Sequence, residues 1–186
     1  MKIVAIVFVV GLAGLVSLLL FQVLYYNIII SLYHFGIRLT APFNPKAKLW
    51  VNGRKNLFTN LSTQLPPKTG KTVWFHCASL GEFEQGRTVI EQLKKEHPEY
   101  TIVLSFYSPS GYEVRKNYEY ADVVTYLPAD SAANAAKFIE TIKPDLAVFV
   151  KYEFWYHYLN TLNKKQIPVI LISGIFRKKQ LFFRWF

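Results

Sequence analysis

Cysteine is nearly missing from this chain: Cys77 is the only one in 186 residues. That excludes a disulfide scaffold and a zinc site built on several cysteines. Acidic residues are missing from the first 81 positions, and all twelve stand at or beyond Glu82. Charged residues make up only 18% against 52% apolar, the reverse of what a disordered chain requires. The dinucleotide pattern G-x-G-x-x-G and the phosphate-loop signature ending in Gly-Lys-Ser/Thr are both absent, so nicotinamide, flavin and P-loop sites have no sequence support. The four histidines, His34, His76, His97 and His157, show no metal-ligand spacing. No metal and no cofactor is therefore expected.

The net charge of +10 is unevenly placed. Residues 46–71 carry six bases (Lys46, Lys48, Arg54, Lys55, Lys68 and Lys71), residues 164–186 carry six more, and neither stretch has an acid. The centre, residues 82–163, sets eight bases against the twelve acids. These blocks lack an RNP-like or helix-turn-helix context, so nucleic acid is not an expected partner. The first block follows a membrane-grade segment, which favours a surface facing anionic lipid.

That segment is Ile3 to Leu24, with only Ser17 and Gln22 as polar side chains. At about 1.5 Å per residue, a helix of this length covers the ~30 Å hydrocarbon core. Tyr25 and Tyr26 follow at the depth of an interfacial aromatic belt. A cleaved signal peptide has an apolar region of about 7–15 residues and a small-residue cleavage site, which fits less well. A buried core helix is the other alternative. Asn27 to Leu39 stays apolar but admits Ser31, His34 and Arg38, so it either lies in the interface or continues the first helix. Pro42 and Pro45 close any helix there. Lys2 stands alone before the span, while Arg38 and six bases follow it, which places the bulk of the chain in the cytoplasm. Residues 1–45 are read as membrane anchor and interfacial segment. Residues 46–71 are read as a basic connection with turn signals at Asn52-Gly53, Pro66-Pro67 and Thr69-Gly70.

From Thr72 the pattern changes. Short apolar runs (Thr72–Cys77, Thr101–Tyr107, Val123–Leu127, Leu146–Val150 and Pro168–Ile172) alternate with helix-length polar stretches near 83–96, 111–118, 131–142 and 153–164. Continuous apolar runs suit strands covered on both faces. The alternation predicts a Rossmann-like α/β domain with a parallel sheet over residues 72–186. Ligands in such sheets bind beyond the carboxyl ends of the strands. The loops of interest are therefore 78–86, 108–113, 128–131, 151–157 and 173–179.

Two of these loops contain Ser-x-x-Glu. Ser79 and Glu82 fit a capping box, in which the serine caps the helix and the glutamate reaches back. Glu82 at a strand end also fits a general base that takes a proton from an attacking hydroxyl. The helix dipole favours its ionised form, making it available but weaker. Ser108 to Glu113 is a second cap, or a set of backbone N–H groups able to hold an anion. His76, inside the first strand, reads as a satisfied core histidine.

Beyond spacing, the wording of the loops resembles a family. Trp74-Phe75-His76-Cys77-Ala78-Ser79-Leu80-Gly81-Glu82 is similar to the strand-loop motif of bacterial 3-deoxy-D-manno-octulosonic acid (Kdo) transferases of lipopolysaccharide biosynthesis. Ser108-Pro109-Ser110-Gly111-Tyr112-Glu113, Tyr126-Leu127-Pro128-Ala129-Asp130 and Glu153-Phe154-Trp155 follow in the family's order. Ala47 to Arg54 resembles its segment after the membrane anchor. The fourth loop departs from the family's Glu-Thr-Glu-Leu-Trp-Pro-Asn, keeping only Glu153 and Trp155. Ser173 to Arg177 stands where the family has Asn-Ala-Arg-Leu-Ser.

The resemblance implies the N-terminal half of an inverting, metal-independent GT-B glycosyltransferase. Such an enzyme transfers Kdo from CMP-Kdo to a lipid A precursor at the cytoplasmic face of the bacterial inner membrane. It implies Glu82 as catalytic base, with Ser79, Gly81, Ser110, Gly111 and Glu153 on the acceptor side. CMP-Kdo belongs mainly to a C-terminal donor domain that these 186 residues do not include, so the chain alone is expected to be inactive. The alternatives are a membrane-tethered α/β interaction module in which Glu82 is only a cap, and another GT-B transferase with a lipid-linked acceptor.

Overall fold

The structure is a computed structural model describing residues 2–151 and 153–174, with side chains from Phe21 onward. Five strands, β1 (Thr72–Cys77), β2 (Thr101–Phe106), β3 (Val123–Tyr126), β4 (Leu146–Val150) and β5 (Val169–Ile172), form one sheet in the order β3-β2-β1-β4-β5. Every pairing is parallel. The expected Rossmann-like α/β layer is present, its strands within a residue of the apolar runs. β1 and β2 are buried along their whole length, which is why they read as runs rather than alternations.

Among the described residues, seven helices accompany the sheet: α1 (Lys2–Thr40), α2 (Pro45–Asn52), α3 (Leu57–Gln64), α4 (Leu80–Glu96), α5 (Pro109–Arg115), α6 (Ala132–Ile142) and α7 (Tyr156–Lys164). Successive residues of β1 point to opposite faces. Val73, Phe75 and Cys77 pack with Phe83 and Ile90 of α4. Trp74 packs on the other face with Leu57, Leu61, Phe138, Tyr158 and Leu162 from α3, α6 and α7. Burial pushes the Cys77 thiol far above its ordinary range, so it is inert packing.

The segment expected as a turn-rich connection is largely helical. Asn44 caps α2, its side-chain oxygen accepting from the N–H of Lys46 (2.9 Å) and Ala47 (3.2 Å), and Pro45 supplies a fixed φ at the first position. The turn signal at Asn52-Gly53 ends α2 and leads to α3, whose Leu57 and Leu61 enter the core.

Asn27 to Leu39 continues α1 and docks on the domain. Tyr26 Oη donates to Asp130 (2.5 Å), and His157 Nε2 meets Asn27 Oδ1 at 2.6 Å. His34 is buried, with Nε2 3.0 Å from Tyr107 Oη and its ring stacked on Trp50. The opposite side of α1 leaves Phe21, Leu24, Tyr25, Ile28, Leu32, Phe35 and Leu39 exposed. The expected span, Ile3 to Leu24, lies almost wholly outside the residues whose side chains are described. Among the described residues, no helix is long and apolar enough to cross a membrane.

Candidate functional site

β2 and β4 flank β1, so the chain winds outward in both directions from β1. In open parallel sheets the ligand crevice lies beyond the carboxyl ends of the strands at such a switch point, here β1 and β4. Glu82 follows β1 and Glu153 follows β4. Topology thus puts two carboxylates, distant in sequence, at one site.

Glu82 occupies the third position of α4, with Ser79 as N-cap. Its Oε2 accepts from the backbone N–H of Ala78 (2.5 Å) and Ser79 (3.1 Å). These bonds and the neighbouring His76 favour the ionised carboxylate. Burial, followed by repulsion from Glu153, outweighs them and raises the Glu82 pKa above its ordinary value. The helix terminus by itself favours the ionised form, and burial and a second acid act against it.

Glu153 is held from beside and below. The Trp155 indole N–H donates to Glu153 Oε2 (2.8 Å) and to His76 Nε2 (3.1 Å). His76 is fully buried, and its Nδ1 lies 2.9 Å from Ser105 Oγ, directly opposite on β2. Ser105 Oγ also accepts the Trp74 indole N–H at 2.7 Å. The chain Trp74–Ser105–His76–Trp155–Glu153 thus runs from the core to the crevice. The histidine is satisfied, as the strand position suggested, but it also underlies the site. Lys151 takes a left-handed turn (φ 64°) after β4, and Trp155 is the N-cap of α7. The helix expected from 153 therefore starts at Tyr156, leaving Glu153 free to face β1.

The second loop is tied to the first: the Ser108 N–H donates to the Ala78 carbonyl at 2.7 Å. Ser108 caps α5 through the Ser110 N–H, and Ser110 Oγ lies exposed 3.0 Å from Ser108 Oγ. Gly111 is buried, and a Cβ there would meet the Phe106 ring at 2.2 Å, so its role in the structure is close packing. Gly81 is exposed and a Cβ there would meet nothing within 4 Å. Ser79, Gly81 and Glu82 thus share one loop and helix start, Ser110 and Glu153 stand on adjoining loops, and Gly111 supports from beneath.

Two further residues shape this end of the sheet. Trp155 stacks on Tyr107 with ring centroids 4.7 Å apart. Asp130 is buried and accepts from the backbone N–H of His157 (3.2 Å) and Tyr158 (3.3 Å), as well as from Tyr26. Tyr107 lies at the end of an apolar run, and only a two-residue strand period points to its face. The Arg177-Lys178-Lys179 cluster and the end of the fifth loop lie outside the described residues.

A family model described as 3-deoxy-D-manno-octulosonic-acid transferase (kdotransferase) matches residues 52–185. The chain belongs to the Kdo transferase family. The 3-deoxy-D-manno-octulosonic acid transferase of Haemophilus influenzae is 27% identical over 140 residues, 74% of this chain and 32% of the relative. Its counterpart in Aquifex aeolicus is 34% identical over 103 residues, 55% of this chain and 28% of the relative. A bifunctional glycosyltransferase/methyltransferase of Fusobacterium nucleatum is 27% identical over 144 residues, 75% of this chain and 21% of the relative. The chain spans about a third or less of the length of these relatives. The matched region includes Glu82 and Glu153.

Proposed function

We propose that this chain is the acceptor-side half of an inverting, metal-independent GT-B transferase that moves Kdo from CMP-Kdo to a lipid A precursor. The observation that carries the reading is Glu82: a half-buried carboxylate at the sheet's switch point whose environment raises its proton affinity. In the proposed reaction Glu82 takes the proton of an acceptor hydroxyl. The freed oxygen bonds to the anomeric carbon of Kdo as the bond to CMP breaks, and CMP leaves with that electron pair. A base with a pKa nearer working pH holds the transferred proton more readily. Ser79, Gly81, Ser110 and Glu153 present the acceptor, and Gly111 keeps the second loop close. The donor sugar is held by a C-terminal half of the kind the longer relatives have room for.

The same reading anchors residues 3–24 in the inner membrane with the α/β domain on the cytoplasmic side. The exposed apolar stripe of α1 supports this, because it continues the apolar run along one helix face while the other face grips the domain. Glu82 as a cap without chemistry is the second reading, favoured by its two backbone hydrogen bonds.

The test is transfer of labelled sugar from CMP-Kdo to lipid A precursor by the full-length protein in membranes. Transfer supports the proposal; turnover of a different lipid-linked acceptor, with none of this one, contradicts it. Removing residues 1–40 is expected to release the protein from the membrane fraction, and unchanged partitioning contradicts the anchor.

A further inference from the structure

Arg54 sits in an unusual position for a cation. Its guanidinium lies 3.8 Å from the Trp50 ring centroid, 4.8 Å from that of Tyr126 and 5.0 Å from that of Tyr107. Nε donates to the Leu127 carbonyl (3.0 Å), Nη1 to Trp50 O (3.1 Å) and Nη2 to Tyr107 O (2.8 Å). Among the described residues every hydrogen-bond partner of Arg54 is a neutral carbonyl. A guanidinium has five N–H bonds, so two remain after these three. Among the described residues, no carboxylate lies within ion-pair distance of Arg54, although six other lysines and arginines have one. Burial costs this charge enough to lower its pKa to about 10.

Arg54 lines a cavity of about 280 Å³ between the end of α1, the α2–α3 pair and the loop after β3. Arg38 from α1 and Lys55 from the α2–α3 turn also line it, both exposed and neither in an ion pair among the described residues. No acid lines it. The cavity therefore gathers three positive charges around one space, with no balancing acid among the described residues. Trp50, which forms part of its wall, is 6% exposed and its indole N–H has no acceptor among the described residues. Val51, Leu57, Phe58, Pro128 and Ala129 supply apolar wall, and Asn134 lines it beside them, its side-chain amide donating to the Ala129 carbonyl at 2.9 Å.

We propose that this cavity binds a phosphate group, with Arg54 at its floor and Arg38 and Lys55 at its rim. A tetrahedral dianion answers a site of several cations better than a single carboxylate. The planar guanidinium edge suits two phosphate oxygens, since its faces are already covered by aromatic rings. The apolar wall suits the carbon skeleton of a phosphorylated headgroup. The phosphate belongs either to a lipid headgroup or to a free ion, and the site's chemistry is the same for both. This inference deepens the acceptor reading above and rests on it only for the source of the phosphate.

The experiment titrates the full chain, without donor sugar, with inorganic phosphate and with phosphatidylcholine vesicles carrying either phosphatidic acid or phosphatidylglycerol. The paired substitution Arg38→Gln with Lys55→Gln removes the rim charges at exposed positions and is expected to leave the melting midpoint in place. Saturable phosphate binding weakened about tenfold or more by the pair supports the site. A preference for phosphatidic acid over phosphatidylglycerol that the pair abolishes assigns the phosphate to a lipid headgroup. Phosphate binding without that preference assigns it to the free ion. Binding that the pair leaves unchanged, or the absence of both phosphate binding and the lipid preference, overturns the proposal. Glu82→Gln is expected to leave phosphate binding untouched, so failure of the site and failure of the transfer chemistry appear in separate measurements.

Discussion

The Glu153 carboxylate lies 3.5 Å from His76 Nε2 and, across the crevice, opposes the ionisation of Glu82. His76 sits inside β1 and Glu153 just past β4, so the parallel pairing of those strands creates the relationship. It joins the electrostatics of the candidate base to the sheet's topology rather than to the local helix start.

Replacing Glu153 with glutamine removes the repulsion while keeping an acceptor for the Trp155 indole. Glu82 should then titrate at lower pH. Carboxyl carbon NMR of the two proteins measures the shift, and an unchanged Glu82 titration contradicts the coupling.

His34 gives a second, opposite pH effect. Burial, reinforced by Arg54 and Arg38, lowers its pKa to about 4. The unfolded chain takes up this proton near pH 6.5, the folded chain only near pH 4. Between these values the unfolded state holds more protons, so stability rises with pH through the window and is lost as pH falls through it. The loss should reach about 1–3 kcal/mol at the acid end. Thermal melts from pH 7 to 4 of the parent and His34→Phe test this. The difference between the two proteins should follow the window; a pH-independent difference contradicts the assignment.

The two glycines of the crevice should separate stability from activity. Gly111→Ala drives a Cβ into the buried Phe106 ring and should cost about 1–3 kcal/mol of stability. Gly81→Ala meets open space at the start of α4 and should be neutral or stabilising by up to about 1 kcal/mol. If the acceptor passes over Gly81, this second variant loses transfer without losing stability. Melting midpoints and turnover measured together decide the matter, and full activity in Gly81→Ala removes that residue from the acceptor path.

Much of this was legible in the sequence. Thr72–Cys77 and Leu146–Val150 read as buried strands because both faces are covered, and Ser79-x-x-Glu82 marked a helix start at a strand end. What sequence spacing did not carry was long-range placement. The raised proton affinity of Glu82 comes first from burial and then from Glu153 across the switch point, and the partners of His76 come from β2 and the loop after β4. The helices α2 and α3 were obscured by turn signals, although Asn44-Pro45 is a helix-start pair. Arg54 read as one base of a block, and only folding reveals that carbonyls and aromatic rings surround it. The docking of α1 through Tyr26, Asn27 and His34 is likewise invisible to apolar periodicity, because polar contacts secure it.

The central claim is that Glu82 removes the acceptor proton, and Glu82→Gln in the full-length protein addresses it directly. Glutamine keeps an oxygen able to accept the Ala78 and Ser79 N–H groups but cannot serve as a base. Turnover with CMP-Kdo and lipid A precursor should fall by about 10²–10⁴ while the melting midpoint changes little. Near-normal turnover with a stability loss of about 0.5–2 kcal/mol would leave Glu82 as a helix cap and contradict the account.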